Sequence, residues 1–314
     1  MTSVRFPRTL REAVASPGEF RAGGTDLQER LESGVAGSSL VDLRDLGADV
    51  RRITSTEDGV RIGALVTLAE VAASAEVRDV APGLVAALES TATPQLRATG
   101  TVGGNVMQRV RCWYFRHPDV ACLKKGGTHC WARVGDHRLH ACIDLGPCLA
   151  PHPSTVALGL LAYDGSIETH EHGARPLPAF FGPGADPFRE NTLKARELVT
   201  AVTVPRLPAA GFAYVRAKER RGSEWPLVDA VVRLRVVEGT VAEAAVALGH
   251  AANRSLRLPA VEAKLVGEAP SPALFEAAAA LSTDGVVAPP QTAYKLPLVR
   301  GVVLTALERA AAVA

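Results

Sequence analysis

The sequence is short of several features that would settle its class at once. Its 35 Lys+Arg nearly balance its 33 Asp+Glu, for a formal charge of +2. There is no polybasic surplus to release counterions from a nucleic acid, so binding by bulk charge is disfavoured. No apolar run approaches the ~20 residues of a membrane helix, and the longest, around Val156–Tyr163, is less than half of that. The segment from Met1 to Phe20 carries neither an apolar signal core nor paired arginines. The expectation is a chain without membrane insertion or an export signal of its own, residing in the cytoplasm or reaching the periplasm with a signal-bearing partner. Aromatics make up only 5% of the residues, yet 47% are hydrophobic, which excludes a disordered chain. A length of 314 residues suggests roughly two to three compact units at ~100–200 residues each.

Cysteine is absent from most of the chain and concentrated in one place. Cys112, Cys122, Cys130, Cys142 and Cys148 share one stretch, and His117, His129, His137, His140 and His152 lie in or beside it. An odd number of cysteines without a secretion signal argues against a disulfide framework. Cysteines buried singly as small hydrophobes would scatter over the core. Metal ligation is the better reading. The gaps run C-x9-C-x7-C, then x11 to Cys142 or x17 to Cys148, wider than the short knuckles of zinc sites. Such loops, with turns such as Gly126–Gly127, suit four thiolates around an iron–sulfur cube. Zinc ranks second and an unliganded redox-sensitive loop third. Between Arg109 and His140 the bases Arg109, Arg111, Arg116, Lys124, Lys125, Arg133 and Arg138 face two acids, Asp119 and Asp136, for a net +5. The expectation is a basic shell stabilising a negative cluster.

Two glycine pairs stand at junctions between predicted elements. Ala22-Gly23-Gly24-Thr25-Asp26 separates a strand over Glu19–Ala22 from a helix over Asp26–Glu32 that Thr25 caps. The stretch Ala98-Thr99-Gly100-Thr101-Val102-Gly103-Gly104-Asn105 precedes the cysteines. Backbone amides of such loops approach phosphates closely, with hydroxyls of Thr25, Thr99 and Thr101 at hand. Neither is a G-x-G-x-x-G fingerprint or a P-loop; together they hint at a dinucleotide. No G-x-S-x-G elbow and no H-E-x-x-H occurs. Asp42 and Asp45 read as turn acids, His170 and His172 as surface residues, and His250 as structural.

Further strands are predicted over Ser39–Asp42, in a hairpin of Val50–Ile53 with Val60–Gly63, and at Gly165–Glu168 and Glu197–Val204. Helices are predicted over Leu68–Ala75, Gly83–Leu88 and Ser154–Ala162. A Pro/Gly-rich segment spans Pro176–Pro187, and Pro205–Gly211 reads as a linker. Beyond it, strands Ala213–Lys218, Val228–Val237 and Val241–Leu248 and helices Pro272–Leu281 and Leu298–Ala312 make an α+β unit of roughly 100 residues.

With these residues in view, the chain resembles the FAD-binding medium subunits of the molybdenum hydroxylases, the xanthine dehydrogenase and carbon monoxide dehydrogenase flavoproteins. The likeness runs through nearly the whole chain. The first flavin loop is similar to Ala22-Gly23-Gly24-Thr25-Asp26-Leu27, and the second, R-x-x-(A/G)-T-(L/V)-G-G-N, to Arg97–Asn105. The H-P-(S/A)-D stretch corresponds to His152-Pro153-Ser154-Thr155, with Thr155 departing from the family's Asp. The C-terminal pattern is similar to Tyr214–Val228, through Lys218, Arg221, Trp225, Pro226 and Val228. The segment Asn105–Arg116, with Cys112-Trp113-Tyr114-Phe115-Arg116, looks like the subgroup bearing an additional [4Fe–4S] cluster, which includes the periplasmic aldehyde oxidoreductases.

The resemblance implies an α+β fold: a two-subdomain PCMH-type FAD-binding domain over 1–205 (subdomains about 1–57 and 58–205), with the cysteine-rich loop at 109–148. A small α+β domain over 206–314, of the CO dehydrogenase flavoprotein C-terminal type, completes it. It implies FAD held by Ala22, Gly23, Gly24, Thr25, Asp26, Leu27, Thr99, Thr101, Gly103, Gly104 and Asn105. A [4Fe–4S] cluster falls on Cys112, Cys122, Cys130 and Cys148, leaving Cys142 a small buried thiol; Cys142 as ligand with Cys148 spare is physically open. The implied role is electron transfer from a small [2Fe–2S] subunit through FAD to an external acceptor, within an oxidoreductase whose large subunit carries the molybdenum cofactor. Substrate chemistry then belongs to the large subunit, aldehydes being the first expectation. Two rival readings are a zinc-stapled scaffolding subunit and a stand-alone flavin oxidase.

Overall fold

The computed structural model describes residues 3–183, 186, 188–220 and 222–314. Gly184, Ala185 and Pro187 of the Pro/Gly-rich segment, and Arg221 of the C-terminal pattern, lie outside the described residues. Twelve strands form three sheets among these residues. The first sheet is parallel, in the order β1 (Ser3–Arg5), β3 (Ser39–Asp42), β2 (Glu19–Arg21). Parallel neighbours need crossovers, supplied here by the helices Leu10–Ala15 and Leu27–Glu32.

The second sheet joins β4 (Ile53–Thr56), β5 (Gly59–Gly63), β8 (Val199–Pro205), β6 (Ser166–Thr169) and β7 (Arg175–Pro176) in that order, every pair antiparallel. Chain far apart in sequence thus meets edge to edge: Ile62 stands opposite Val202. The expected hairpin exists with a shorter turn, because Val50 lies in a 3-10 turn, Ala48–Arg51, rather than in the strand. β4 therefore belongs to the second sheet, and a division at residue 57 would cut that hairpin.

The sheet's core is closed by short helices, Leu68–Ala73, Ala75–Val80 and Pro82–Glu89, and by Thr155–Ala162. Thr155–Ala162 is apolar on all sides and buried along its whole length, as expected of a helix with no face to give to water. It packs on Pro82–Glu89 and on the third sheet. Ser154, not Thr155, is its N-cap, its hydroxyl accepting from Ala157 N.

The third sheet is antiparallel: β9 (Gly211–Ala217), β10 (Val228–Val237), β11 (Thr240–Gly249) and β12 (Leu256–Arg257). Glu238 and Gly239, at φ 49° and 75°, make the β10–β11 turn, the doubly left-handed geometry that matches strand twist. Helices Pro259–Leu265, Pro272–Ala280 and Lys295–Ala311 contribute to this sheet's core. The last helix begins three residues before the expected Leu298, and that extra turn brings Lys295 into the interior. Among the described residues no helix is long and apolar enough to cross a membrane.

Candidate cofactor-binding sites

A cavity of about 1080 Å³ opens where the first glycine loop meets the second. Ala22, Gly23, Gly24, Thr25, Asp26, Leu27, Thr101, Gly103 and Gly104 line it, together with Arg30, Gln108, Arg109 and an apolar floor that includes Leu43, Leu65 and Leu198. The loops touch through glycine. A Cβ on Gly23 would fall 1.9 Å from the Thr99 carbonyl oxygen, and one on Gly103 2.8 Å from Ala64 Cβ. Close approach of backbone to backbone is therefore what demands these residues. The second loop is stitched to Ala64–Leu68 by three bonds: Gly103 N–H donates to Ala64 O, Val102 N–H to Val66 O and Leu68 N–H to Gly100 O.

Several sequence expectations change here. The helix after the first loop starts at Leu27 with Asp26 as its N-cap, so Thr25 does not cap it. Thr99 is exposed and does not line the cavity; its hydroxyl donates to Gln95 O, and its carbonyl is what abuts Gly23. Asn105 also stands outside. Its carboxamide oxygen accepts from Ser154 Oγ (2.8 Å) and Val156 N (3.1 Å), tying the second loop to the start of helix Thr155–Ala162. The Gly103 and Gly104 amides are already engaged, Gly104 N–H by Thr101 Oγ1 at 3.1 Å.

Asp26 carries more than sequence suggested. Its carboxylate meets Arg116 Nη2 at 2.5 Å, Arg30 Nε at 3.0 Å and Arg111 Nη1 at 3.3 Å, and accepts from Arg109 N. Burial works to raise its pKa; the Arg116 and Arg30 guanidiniums outweigh that and hold the carboxyl below its usual range. Asp42 is the turn acid expected, capping the 3-10 turn Leu43–Asp45 by accepting from Arg44 N, and it is also fully buried and paired with Arg21 and Arg44.

Four of the five cysteines form a second site. Cys112, Cys122, Cys130 and Cys148 line one space of about 290 Å³, walled by Val110, Tyr114, Phe115, Trp131, Ala132 and Ala150. Three of them stand immediately before a short helical turn: Cys112 before Trp113–Arg116, Cys122 before Leu123–Lys125 and Cys130 before Trp131–Arg133. First-turn amides there favour negative charge on sulfur. Burial pushes the Cys112 thiol up to about 11, against the amides of Phe115 and Tyr114. The hydrogen bond between Cys148 and Cys130 draws Cys130 down to about 6 and leaves Cys148 harder to ionise. Cys142 is elsewhere, fully buried in the core of the third sheet, its N–H donating to Ala251 O.

The spacing of the sulfurs bears on what fits. One tetrahedral zinc, ~2.3 Å from each thiolate, would draw the sulfurs to within roughly 3.8 Å of one another. Cys130 and Cys148 are in hydrogen-bond contact, but among the described residues no three cysteine sulfurs lie mutually within 4.8 Å; the trio that does lie that close is Glu171, His172 and Glu197.

The expected basic shell is largely neutralised by acids from beyond the Arg109–His140 stretch. Arg109 and Lys124 reach Glu190, Arg111 and Arg116 reach Glu29 as well as Asp26, and Arg133 reaches Asp144. Arg138 pairs with Asp136 within the loop. Counting within that stretch leaves out Glu29 and Glu190 because they come from distant segments, and Asp144 because it lies just past His140.

Sequence reasoning also missed two contacts. His140 Nε2 lies 3.1 Å from Cys112 Sγ. His250, buried, meets Asp229 Oδ1 at 2.8 Å, while Tyr214 donates its hydroxyl to Asp229 Oδ2. Both histidines face a further cavity of about 780 Å³, with Arg111, Cys112, Trp113, Pro153 and Trp225.

Residues 7–207 match the family described as the FAD binding domain in molybdopterin dehydrogenase, and residues 213–310 match the CO dehydrogenase flavoprotein C-terminal domain. The aldehyde oxidoreductase FAD-binding subunit PaoB of Escherichia coli is 33% identical over 255 residues, 79% of each chain. The nicotine 6-hydroxylase medium subunit of Paenarthrobacter nicotinovorans is 28% identical over 263 residues, 82% of this chain and 75% of that protein. A solved carbon monoxide dehydrogenase from Hydrogenophaga pseudoflava superimposes with a TM-score of 0.75 at 25% identity, covering 99% of this chain and 97% of that one. The chain belongs to the FAD-binding subunits of the molybdopterin-dependent oxidoreductases, the family of the CO dehydrogenase and xanthine dehydrogenase flavoproteins.

Proposed function

We propose that this chain is the FAD- and [4Fe–4S]-bearing electron-transfer subunit of a molybdenum hydroxylase of the aldehyde oxidoreductase type. In this reading it works between a small [2Fe–2S] subunit and an external acceptor, with the molybdenum cofactor and the substrate on a large partner. The observation that carries the reading is the meeting of Cys112, Cys122, Cys130 and Cys148 around one space, with no three of their sulfurs mutually within 4.8 Å. The cavity between the glycine loops supports the flavin part, because the close contacts at Gly23 with Thr99 and at Gly103 with Ala64 bring the two loops together as its walls.

Flavin, when bound, accepts electrons singly and releases them in pairs. The chain's own residues hold and shield it. Ala22–Leu27 and Thr101–Gly104 form the walls, Arg30 and Arg109 supply positive charge, and Leu43, Leu65 and Leu198 exclude water from the floor. For the cluster, Phe115, Val110 and Ala150 supply a dry wall and the first-turn amides supply positive dipoles.

The test is the optical spectrum of anaerobically purified protein with its Cys112→Ser variant. Flavin bands near ~450 nm on a broad iron–sulfur shoulder, with only the shoulder lost in the variant, support the reading. A colourless, zinc-containing protein would instead make it a zinc-stapled scaffold.

A further inference from the structure

Nothing in the family resemblance gives His140 a part. It sits in the turn His137–His140, closed by His140 N–H donating to His137 O at 2.9 Å. The edge of Trp113 packs against its ring, centroids 4.9 Å apart and planes at 83°. Its backbone is fixed from the other domain. Lys295 Nζ, 1% exposed at the start of the last helix, donates to His140 O (2.8 Å), Leu139 O (3.1 Å) and Leu227 O (3.3 Å). The ring nitrogen Nδ1 is buried without a hydrogen-bond partner. All of the imidazole's hydrogen bonding is therefore directed through Nε2, to Cys112 Sγ.

We propose that His140 is a positioning residue that raises the reduction potential of the cluster by donating Nε2–H to Cys112 Sγ, held at that angle by Lys295. The inference rests on the cluster assignment above. A thiolate accepts the bond, so Nε2 carries the proton and Nδ1 the lone pair. The bond draws electron density from sulfur, and the reduced cluster, one electron more negative, gains more from it than the oxidised one. A buried site with little water strengthens the effect.

The test is a redox titration of the assembled holoprotein, followed by the EPR signal of the reduced cluster and the absorbance of the flavin. His140→Phe keeps the ring against Trp113 and removes the donor; His140→Gln keeps an N–H. The expected result is a cluster midpoint shifted to lower potential in His140→Phe and restored towards wild type in His140→Gln, with iron content and flavin midpoint unchanged. A fully loaded cluster with the same midpoint in both variants overturns the proposal and leaves the cluster assignment standing. Loss of iron from both variants makes His140 a structural staple and also overturns it. Absence of iron and sulfide from the wild type overturns the cluster assignment itself.

Discussion

Asp26 and Arg116 form an ion pair at 2.5 Å that joins the first glycine loop to the segment bearing Cys112. Arg116 also donates through Nε to Val110 O and through Nη2 to Arg109 O, so the pair braces the strip of chain leading from one cavity to the other. A carboxylate in the wall of the glycine-loop cavity is thus tied through Arg116 to the helical turn that follows Cys112.

Asp26→Asn leaves the shape and removes the charge. Arg116 would keep only Glu29 and Arg30 only Glu19 as counter-ion, so the cost falls below the ~3 kcal/mol of a fully broken buried pair. The expected outcome is a lower Tm together with reduced flavin and iron content, measured on one preparation. Loss of one cofactor with full retention of the other would show that the pair does not couple the sites.

Gly23→Ala places a methyl group 1.9 Å from the Thr99 carbonyl, which cannot be met by rotating a side chain. The loops must separate, and flavin content after purification should fall at least ~10-fold, a cost of about 1.4 kcal/mol in binding. Gly37→Ala, whose Cβ meets nothing within 4 Å, is the control and should bind flavin as wild type does.

Cys148→Ser and Cys142→Ala separate the two candidates for the fourth ligand. Cys148 lines the space with Cys112, Cys122 and Cys130, while Cys142 packs in the core of the third sheet. Iron should be lost from Cys148→Ser. It should be retained in Cys142→Ala, which leaves a small cavity worth about 1 kcal/mol of stability. Iron analysis of both proteins checks the pair, and the opposite pattern would move the ligand to Cys142.

His152 is buried against Phe181, and burial, with the neighbouring charges of His250 and Lys124, pushes its pKa down to about 3. The folded state therefore binds fewer protons at this site than the unfolded chain, whose histidine titrates near ~6.5. The stability that comes from keeping it neutral is complete above that pH and is lost as pH falls towards 3. His152→Leu should lose less stability than wild type between pH 6.5 and 4 in urea titrations. Parallel pH profiles for the two proteins would contradict this.

Much of the fold was legible because the strands of the third sheet and the helix after Ser154 carry long apolar patterns that nothing interrupts. Val228–Val237 and Pro272–Ala280 lie close to where periodicity put them. The boundaries that moved did so for local reasons: Val50 entered a 3-10 turn, and Lys295 was drawn inside by three carbonyls that sequence does not display. The glycine loops were legible as close-approach points. The roles of Asn105 and Asp26 were not, because their partners Ser154 and Arg116 lie 49 and 90 residues away. The same distance hid Glu29 and Glu190, two of the acids that neutralise the cysteine loop.

The central claim, a flavin and an iron–sulfur cube on one chain, is tested most directly by elemental and cofactor analysis of anaerobically purified protein. The account predicts about four iron atoms and about four acid-labile sulfides for each FAD. Stoichiometric zinc without labile sulfide would contradict it.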